Sequence, residues 1–135
     1  MPVSWYPDRM TEDLKAFQKW LDMAKYLYRA VQSYPRSEKY TLGADTRQAM
    51  IRLGRYIYRA NALRRESPEK RRMLEHADME LVDLQLLIRL AKELEFLPLR
   101  KYELMSGMAV EIGKMLGGWI KATGKIQQGR QSPSP

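Results

Sequence analysis

The chain contains no cysteine and only one histidine, His76, among its 135 residues. Thiol catalysis, disulfide bonds and cysteine-ligated zinc are therefore excluded, and a lack of cysteine is typical of proteins in a reducing compartment. The sequence also lacks a histidine pair and a glycine-rich phosphate loop, so the usual signatures of nucleophilic, metal and nucleotide chemistry are missing. We therefore expect a protein without enzymatic activity, a metal or a cofactor.

Long apolar runs are absent as well. None approaches the roughly 20 residues that a membrane-spanning helix needs, and the first ten residues lack the basic and apolar regions of a signal peptide. These features predict a cytoplasmic protein that does not associate with a membrane. The length corresponds to a single domain of ordinary size.

Apolar residues instead recur at steps of three and four in four segments, which is the pattern of amphipathic helices. The predicted helices span about residues 11–34, 42–63, 67–94 and 100–123. Pro35 ends the first helix, and Ser67 followed by Pro68 is a favourable start for the third. Similar lengths and short loops favour an all-α, antiparallel up-down four-helix bundle.

The bundle predicted in this way occupies residues 11–123. Residues 1–10 then form an N-terminal extension, and residues 124–135, which are rich in Gly, Pro, Ser and Gln, are expected to be a disordered tail. The predicted buried stripe of the first helix is Leu14, Phe17, Leu21, Ala24, Tyr28 and Val31. The other predicted stripes are Met50, Leu53, Ile57 and Ala60; Leu74, Ala77, Leu81, Leu84, Ile88 and Ala91; and Tyr102, Met105, Ala109, Ile112, Leu116 and Trp119.

The net charge of +8 favours a polyanionic partner, and residues 36–65 hold eight basic residues against two acidic ones. Arg52, Arg55 and Arg59 share one face of the second helix, and the planar fork of arginine suits phosphate groups. Tyr56 and Tyr58 are interleaved and offer rings that can stack on bases. The candidate binding residues of this region are Arg47, Arg52, Arg55, Arg59, Arg64, Arg65, Arg71 and Arg72. Three readings remain open: a nucleic-acid surface, a surface for an acidic protein and an ordinary solvated face.

The stretch "EIGKMLGGWIK" of the fourth helix, residues 111–121, contains three glycines, Gly113, Gly117 and Gly118, beside Trp119. Each glycine inside a helix costs roughly 1 kcal/mol relative to alanine, so an offsetting contact is expected. Gly113 and Gly117 form a stripe of small residues that allows a second backbone to approach closely. The partner across this stripe is either another helix of the same bundle or another subunit.

Four elements of the sequence together resemble a known family. The segments "YPRSEKYTLG", "IYRANALRRES", "LVDLQLLIRLAKEL" and "EIGKMLGGWIK" look like Avd, the accessory variability determinant of diversity-generating retroelements, over about residues 13–123. A more distant resemblance is to the four-helix bundles encoded by intervening sequences of bacterial ribosomal RNA genes. That second resemblance implies the alternative of a stand-alone RNA-binding bundle.

The resemblance to Avd implies a non-enzymatic four-helix bundle that assembles as a barrel-shaped homopentamer. It implies as partners a reverse transcriptase, its template RNA and its cDNA, and a role in mutagenic copying of adenines. Within the matched "LLIRLAKEL" element, Arg89 lies one step from the apolar stripe, and the resemblance suggests that it contacts the polymerase or the RNA. The alternative for Arg89 is an ordinary solvated arginine.

Overall fold

The computed structural model describes residues 12–131, with side chains described from Leu14 to Gly124. The helices of this part are α1 (Glu12–Gln32), a short 3-10 helix (Arg36–Glu38), α2 (Leu42–Ala62), α3 (Pro68–Glu93) and α4 (Leu99–Gln131). No strand occurs within residues 12–131, which confirms the all-α prediction. The predicted N-terminal extension, residues 1–10, lies outside the described residues.

Each of the four α-helices packs against two neighbours. α1 contacts α2 and α4, and α3 contacts the same two helices, so that a single core lies between them. Because the connections between successive helices are short, neighbouring helices run in opposite directions. The domain is therefore a four-helix bundle, as the sequence predicted. None of the described helices combines the length and the apolar character that a membrane crossing requires.

The predicted buried stripes of α2 and α3 are confirmed in full, since every residue named for them is buried. α4 buries all of its predicted stripe except Tyr102, which is only partly covered. In these three helices the faces predicted from the 3- and 4-residue spacing of apolar side chains are the faces that reach the core. α3 has a further set of apolar side chains that remains exposed.

The predicted stripe of α1 is wrong in part. Tyr28 is 42% exposed and Phe17 and Leu21 are only partly buried, whereas the helix turns other positions toward the core. The most deeply buried side chains on α1 are Ala16, Met23, Leu27, Ala30 and Val31. The buried set includes two alanines, and small side chains allow neighbouring helices to approach more closely than large ones do. Tyrosine tolerates such a position because its polar hydroxyl can remain in water.

The two ends of α3 are fixed by local hydrogen bonds. The Ser67 hydroxyl oxygen accepts a hydrogen bond from the backbone N–H of Glu69 at 3.2 Å, which confirms the predicted N-cap. At the other end Glu95 has a positive φ of 65°. Its N–H donates to the carbonyl of Lys92 at 3.0 Å, and the next N–H, of Phe96, donates to the carbonyl of Ala91 at 2.9 Å. This pair of bonds is a Schellman motif, which ends the helix and turns the chain toward α4.

The fourth helix is longer than the sequence predicted. It continues to Gln131, so the expected disordered tail at 124–135 is helical over residues 124–131, and its last four residues lie outside the described part. Contact with α3 persists beyond Thr123, because Gly124 is buried against the guanidinium group of Arg71. The sequence between Pro98 and Pro133 contains no proline that would stop the helix. The composition of this segment was therefore a poor guide to its backbone.

Candidate nucleic-acid interface

The outer face of α2 carries the basic cluster that the sequence predicted. Arg52, Arg55 and Arg59 are exposed on one side of the helix, while Leu53 and Ile57 between them are fully buried. Arg55 and Arg59 form no ion pair with any described residue. Their guanidinium groups are therefore available to an external anion.

Arg52 differs from its two neighbours because it is already paired. Its Nε donates to Oε1 of Glu80 on α3 at 2.9 Å, and the Glu80 side chain is only 16% exposed. The other carboxylate oxygen of Glu80 is buried and has no hydrogen-bond partner among the described residues. Arg52 thus neutralises a mostly buried carboxylate and joins α2 to α3. Because its charge is balanced by Glu80, Arg52 should attract a phosphate less strongly than Arg55 or Arg59.

The remaining predicted arginines of this region divide in the same way. One guanidinium nitrogen of Arg47 donates to the carbonyl of Lys39 at 3.3 Å, and Arg71 lies 3.8 Å from the carboxylate of Glu75. Arg64, Arg65 and Arg72 are exposed and have no ion pair within the described part of the chain. We call the five exposed, unpaired side chains the free arginine face: Arg55, Arg59, Arg64, Arg65 and Arg72.

The two tyrosines interleaved with these arginines are partly occupied. The ring of Tyr56 stacks on His76 of α3, with centroids 5.2 Å apart and an interplanar angle of 19°. Tyr58 meets Phe17 of α1 edge-on at 6.2 Å and is 37% exposed. Of the two, Tyr58 keeps more ring surface for a base, and His76 is an ordinary surface residue of α3.

Arg89 forms a local ion pair on the surface of α3. Its Nε donates to Oε1 of Glu93 at 2.9 Å. The hydrogen bond from Arg89 and the charge of Lys92 lower the pKa of Glu93 below its ordinary value. Because the side chains of Arg89 and Glu93 are both more than half exposed, this pair contributes little to stability. Binding of RNA or a polymerase by Arg89 stays a prediction, and that ion pair would have to be exchanged for it.

The glycines of α4 have different surroundings. A Cβ added at Gly113 would lie 3.4 Å from Cδ2 of Leu81, which is ordinary contact with α3. At Gly117 and Gly118 no described atom of a neighbouring element lies within 4 Å of such a Cβ. Gly113 therefore faces α3, but the packing there would also accept an alanine, and Gly117 and Gly118 have no neighbouring element of the described residues beside them. A subunit contact at these two glycines stays a prediction.

Trp119 follows these glycines and is buried at 5% exposure. The ammonium group of Lys70 lies 4.9 Å from the centre of its ring, a cation–π contact, and also donates to the carbonyl of Leu63 at 3.2 Å. Lys70 itself is 2% exposed. From the first turn of α3, Lys70 therefore contacts both the α2–α3 turn and α4.

The outer side of α3 carries an apolar surface that the sequence reasoning missed. Five large apolar side chains spaced three or four residues apart are each 45% exposed or more, and we call them the outer apolar stripe: Met79, Val82, Leu86, Leu90 and Leu94. The signal was present in the sequence as a second set of apolar residues on the same helix. An α-helix that is apolar on opposite sides is typical of one buried on both.

No group of three or more His, Cys, Asp or Glu side chains that could hold a metal ion occurs within the described residues.

Comparison with known proteins identifies the family. No curated protein matches the chain. A model of the bAvd-like family matches residues 16–123. This range is most of the chain and nearly all of the bundle. The chain therefore belongs to the bAvd-like family, which confirms the resemblance to Avd.

Proposed function

We propose that this bAvd-like protein is a non-enzymatic accessory factor of a diversity-generating retroelement. In this role it binds a reverse transcriptase, its template RNA and the growing cDNA, and supports mutagenic copying of adenines in the cytoplasm. The observation that carries the proposal is the free arginine face on a member of this family. Its cations are exposed and form no ion pair with the described residues, which suits a surface for a polyanion.

The cations of this face suit a nucleic-acid backbone better than they suit base recognition. Arginine binds phosphate oxygens through two parallel hydrogen bonds. Reading of base edges would need further side chains such as Asn or Gln, and of these the described part of α2 offers only the exposed Gln48 and the partly buried Asn61. We therefore expect binding that depends strongly on salt and weakly on sequence.

We further propose that the protein assembles as a homopentamer. The outer apolar stripe supports assembly, because a helix with apolar side chains on two opposite sides is stable when both are covered. The uncovered Gly117 and Gly118 supply a second surface at which a neighbouring backbone can approach closely. Repeating the free arginine face in every subunit raises the apparent affinity for long RNA far more than for short oligonucleotides.

The experiment changes Arg55 and Arg59 together to Gln and measures RNA binding and reverse-transcriptase binding separately across a range of salt concentrations. Removal of two phosphate contacts should reduce the log-log salt slope by about 1.4, or 0.7 for each contact with a single strand. The matched control is Arg52→Gln, which should change the slope less because Arg52 already neutralises Glu80. Helicity and oligomer mass are measured for all variants.

The outcomes separate the alternatives. RNA binding by the unaltered protein without affinity for a reverse transcriptase would favour a stand-alone RNA-binding bundle. Loss of polymerase binding with RNA binding intact would assign the free arginine face to an acidic surface of the polymerase. An unchanged double variant in both assays would make the face an ordinary solvated surface, and would contradict the proposal.

A further inference from the structure

A groove of about 260 Å³ opens between α1 and α2, directly beside the free arginine face. Its walls are almost wholly apolar and are formed by Phe17 and Trp20 of α1 and by Ile51, Gly54 and Tyr58 of α2. The volume lies below the roughly 300 Å³ at which pockets begin to hold drug-sized ligands. A groove of this size and composition suits one planar group.

The floor of the groove is held in place before any ligand arrives. The indole N–H of Trp20 donates to the carbonyl of Met50 at 2.9 Å, and its ring lies against the backbone of Gly54, where any Cβ would clash with it. Phe17 packs against Trp20 with centroids 5.5 Å apart. Because the aromatic rings are fixed by these contacts, little side-chain freedom is lost when a ligand stacks on them.

The rim of the groove is cationic. Arg55 and Arg59 line it, are exposed and have no ion pair with any described residue, and no acidic side chain takes part in the lining. The two residues are one helical turn apart, which separates their backbones by about 6 Å along α2. A second groove, between α2 and α3, shows the contrast, since Asp45 and Asp83 line it beside Arg52.

We infer that this groove binds one unstacked base of single-stranded RNA while Arg55 and Arg59 bind the phosphates that flank it. The inference rests on the proposed RNA binding and adds to it a position at which a base is held. Aromatic side chains with neighbouring arginines are the usual means by which proteins bind single strands without reading sequence. An acidic peptide would satisfy the arginines and leave the aromatic floor unused unless it also carried a ring at the right place.

The test compares two probes that carry the same charge, a fluorescent oligouridine and an oligomer of equal length whose backbone lacks bases. Binding of both to the full-length protein is measured at low salt. Stacking of one base contributes enough that the base-free probe should bind roughly 5- to 100-fold more weakly to the unaltered protein. Tyr58→Leu keeps an apolar contact for Phe17 but removes the most exposed ring of the groove, and should shrink this ratio toward one.

Tyr40→Leu is the matched control, because Tyr40 is 82% exposed and is not among the lining residues of the groove. It should leave the ratio between the two probes unchanged. In a second measurement, oligomers containing 5-iodouridine are photocrosslinked and the crosslinked peptides are identified by mass spectrometry. The expected crosslinks lie on the α1 and α2 peptides that contain Phe17, Trp20 and Tyr58.

The failure of this inference differs from the failure of the proposed function. Salt-dependent RNA binding that is equally strong for both probes, with crosslinks outside the groove, would overturn the base site and leave the RNA-binding role intact. A ratio that Tyr58→Leu leaves unchanged would also overturn it. Absence of RNA binding by the unaltered protein would remove both proposals.

Discussion

The outer faces of α2 and α3 lie on two adjacent helices and have opposite compositions. α2 keeps its large apolar side chains in the core and presents Arg55 and Arg59 to water. α3 buries one complete apolar stripe and exposes another, with Leu86 67% exposed and Met79 66% exposed. α2 therefore leaves little apolar surface exposed beyond Tyr58 and its groove, and is unbalanced mainly in charge, whereas α3 leaves a whole apolar stripe exposed.

Exposed charge and exposed apolar surface are stabilised by different kinds of contact. An exposed cation in water is stable without a partner, and its interaction with a polyanion weakens with salt. An exposed row of large apolar side chains is stabilised by any surface that removes it from water, with little dependence on salt. On the proposed function, we therefore expect the outer apolar stripe of α3 to take part in assembly and the free arginine face to bind the polyanion.

The largest expected effect follows from placing charge in the outer apolar stripe. Leu86→Glu should dissociate the proposed oligomer, because an unpaired carboxylate buried at each subunit contact costs about 3–5 kcal/mol. Sedimentation velocity measures the mass, and circular dichroism checks that the bundle remains folded. Affinity for a short RNA should change little, whereas affinity for long RNA should fall as the repeated sites are separated.

Leu104→Glu is the matched control for this change, because Leu104 is 47% exposed but lies on α4, outside the outer apolar stripe. It should leave the mass unchanged. If the unaltered protein sediments as a monomer, the pentamer is wrong. Equal masses for Leu86→Glu and the unaltered protein would break the contrast between the two faces.

A smaller effect is expected where the two helices are joined. Arg52→Gln leaves the carboxylate of Glu80 without its charged partner, and one of its oxygens is already buried without a hydrogen bond. The free energy of unfolding should fall by about 1–2 kcal/mol, a value kept low because Arg52 is 45% exposed. Urea denaturation measures the change.

The double variant Arg52→Gln with Glu80→Gln should recover part of this loss, since no charge is then left unpaired. The interaction energy from the double-mutant cycle isolates the contact between α2 and α3 from the other effects of each substitution. An Arg52→Gln protein as stable as the unaltered one would show that Arg52 is as free as Arg55, and would add it to the free arginine face.

The smallest effect comes from a change that alters neither face. Glu95 ends α3 with a φ of 65°, a backbone conformation that costs most residues about 1–2 kcal/mol and costs glycine little. Glu95→Gly should therefore raise the free energy of unfolding by roughly 0.5–1 kcal/mol after the greater entropy of glycine in the unfolded chain is subtracted. Thermal denaturation measures the gain.

Oligomer mass and RNA affinity should be unchanged in Glu95→Gly. A change in either would mean that the α3–α4 connection takes part in one of the two surfaces. Leu94, at the end of the outer apolar stripe, precedes Glu95 directly, so this variant also marks how far the stripe extends.

Much of this architecture could be predicted from spacing, because the stripes predicted for α2, α3 and α4 reach the core. α1 and α3 each have two apolar stripes with the same period. In α3 the strict alternation of three- and four-residue steps marked the buried stripe, whereas in α1 the choice between Tyr28 and Met23 depends on how closely the neighbouring helices approach. The cap at Ser67 was predictable because it depends only on the residues next to it.

The location of the candidate interface could be predicted from the sequence, but which of its arginines are already paired could not. The sequence identifies the arginines on the outer face of α2, but the pairing of Arg52 with Glu80 joins residues 28 positions apart and depends on the packing of two helices. The groove floored by Trp20 likewise needs α1 and α2 together. The outer apolar stripe was visible in the sequence as a second apolar face of α3. It was missed because only one buried face was expected for each helix.

The buried ammonium group of Lys70 connects the α2–α3 turn to α4. It holds the carbonyl of Leu63, at the start of the turn that carries Arg64 and Arg65, and the ring of Trp119, which follows the uncovered glycines of α4. If the protein assembles and binds RNA as proposed, a subunit contact that shifted Trp119 would also act on the turn that carries Arg64 and Arg65. Coupling of that kind is reciprocal: the factor by which assembly raised the affinity for RNA would equal the factor by which bound RNA raised the affinity between subunits.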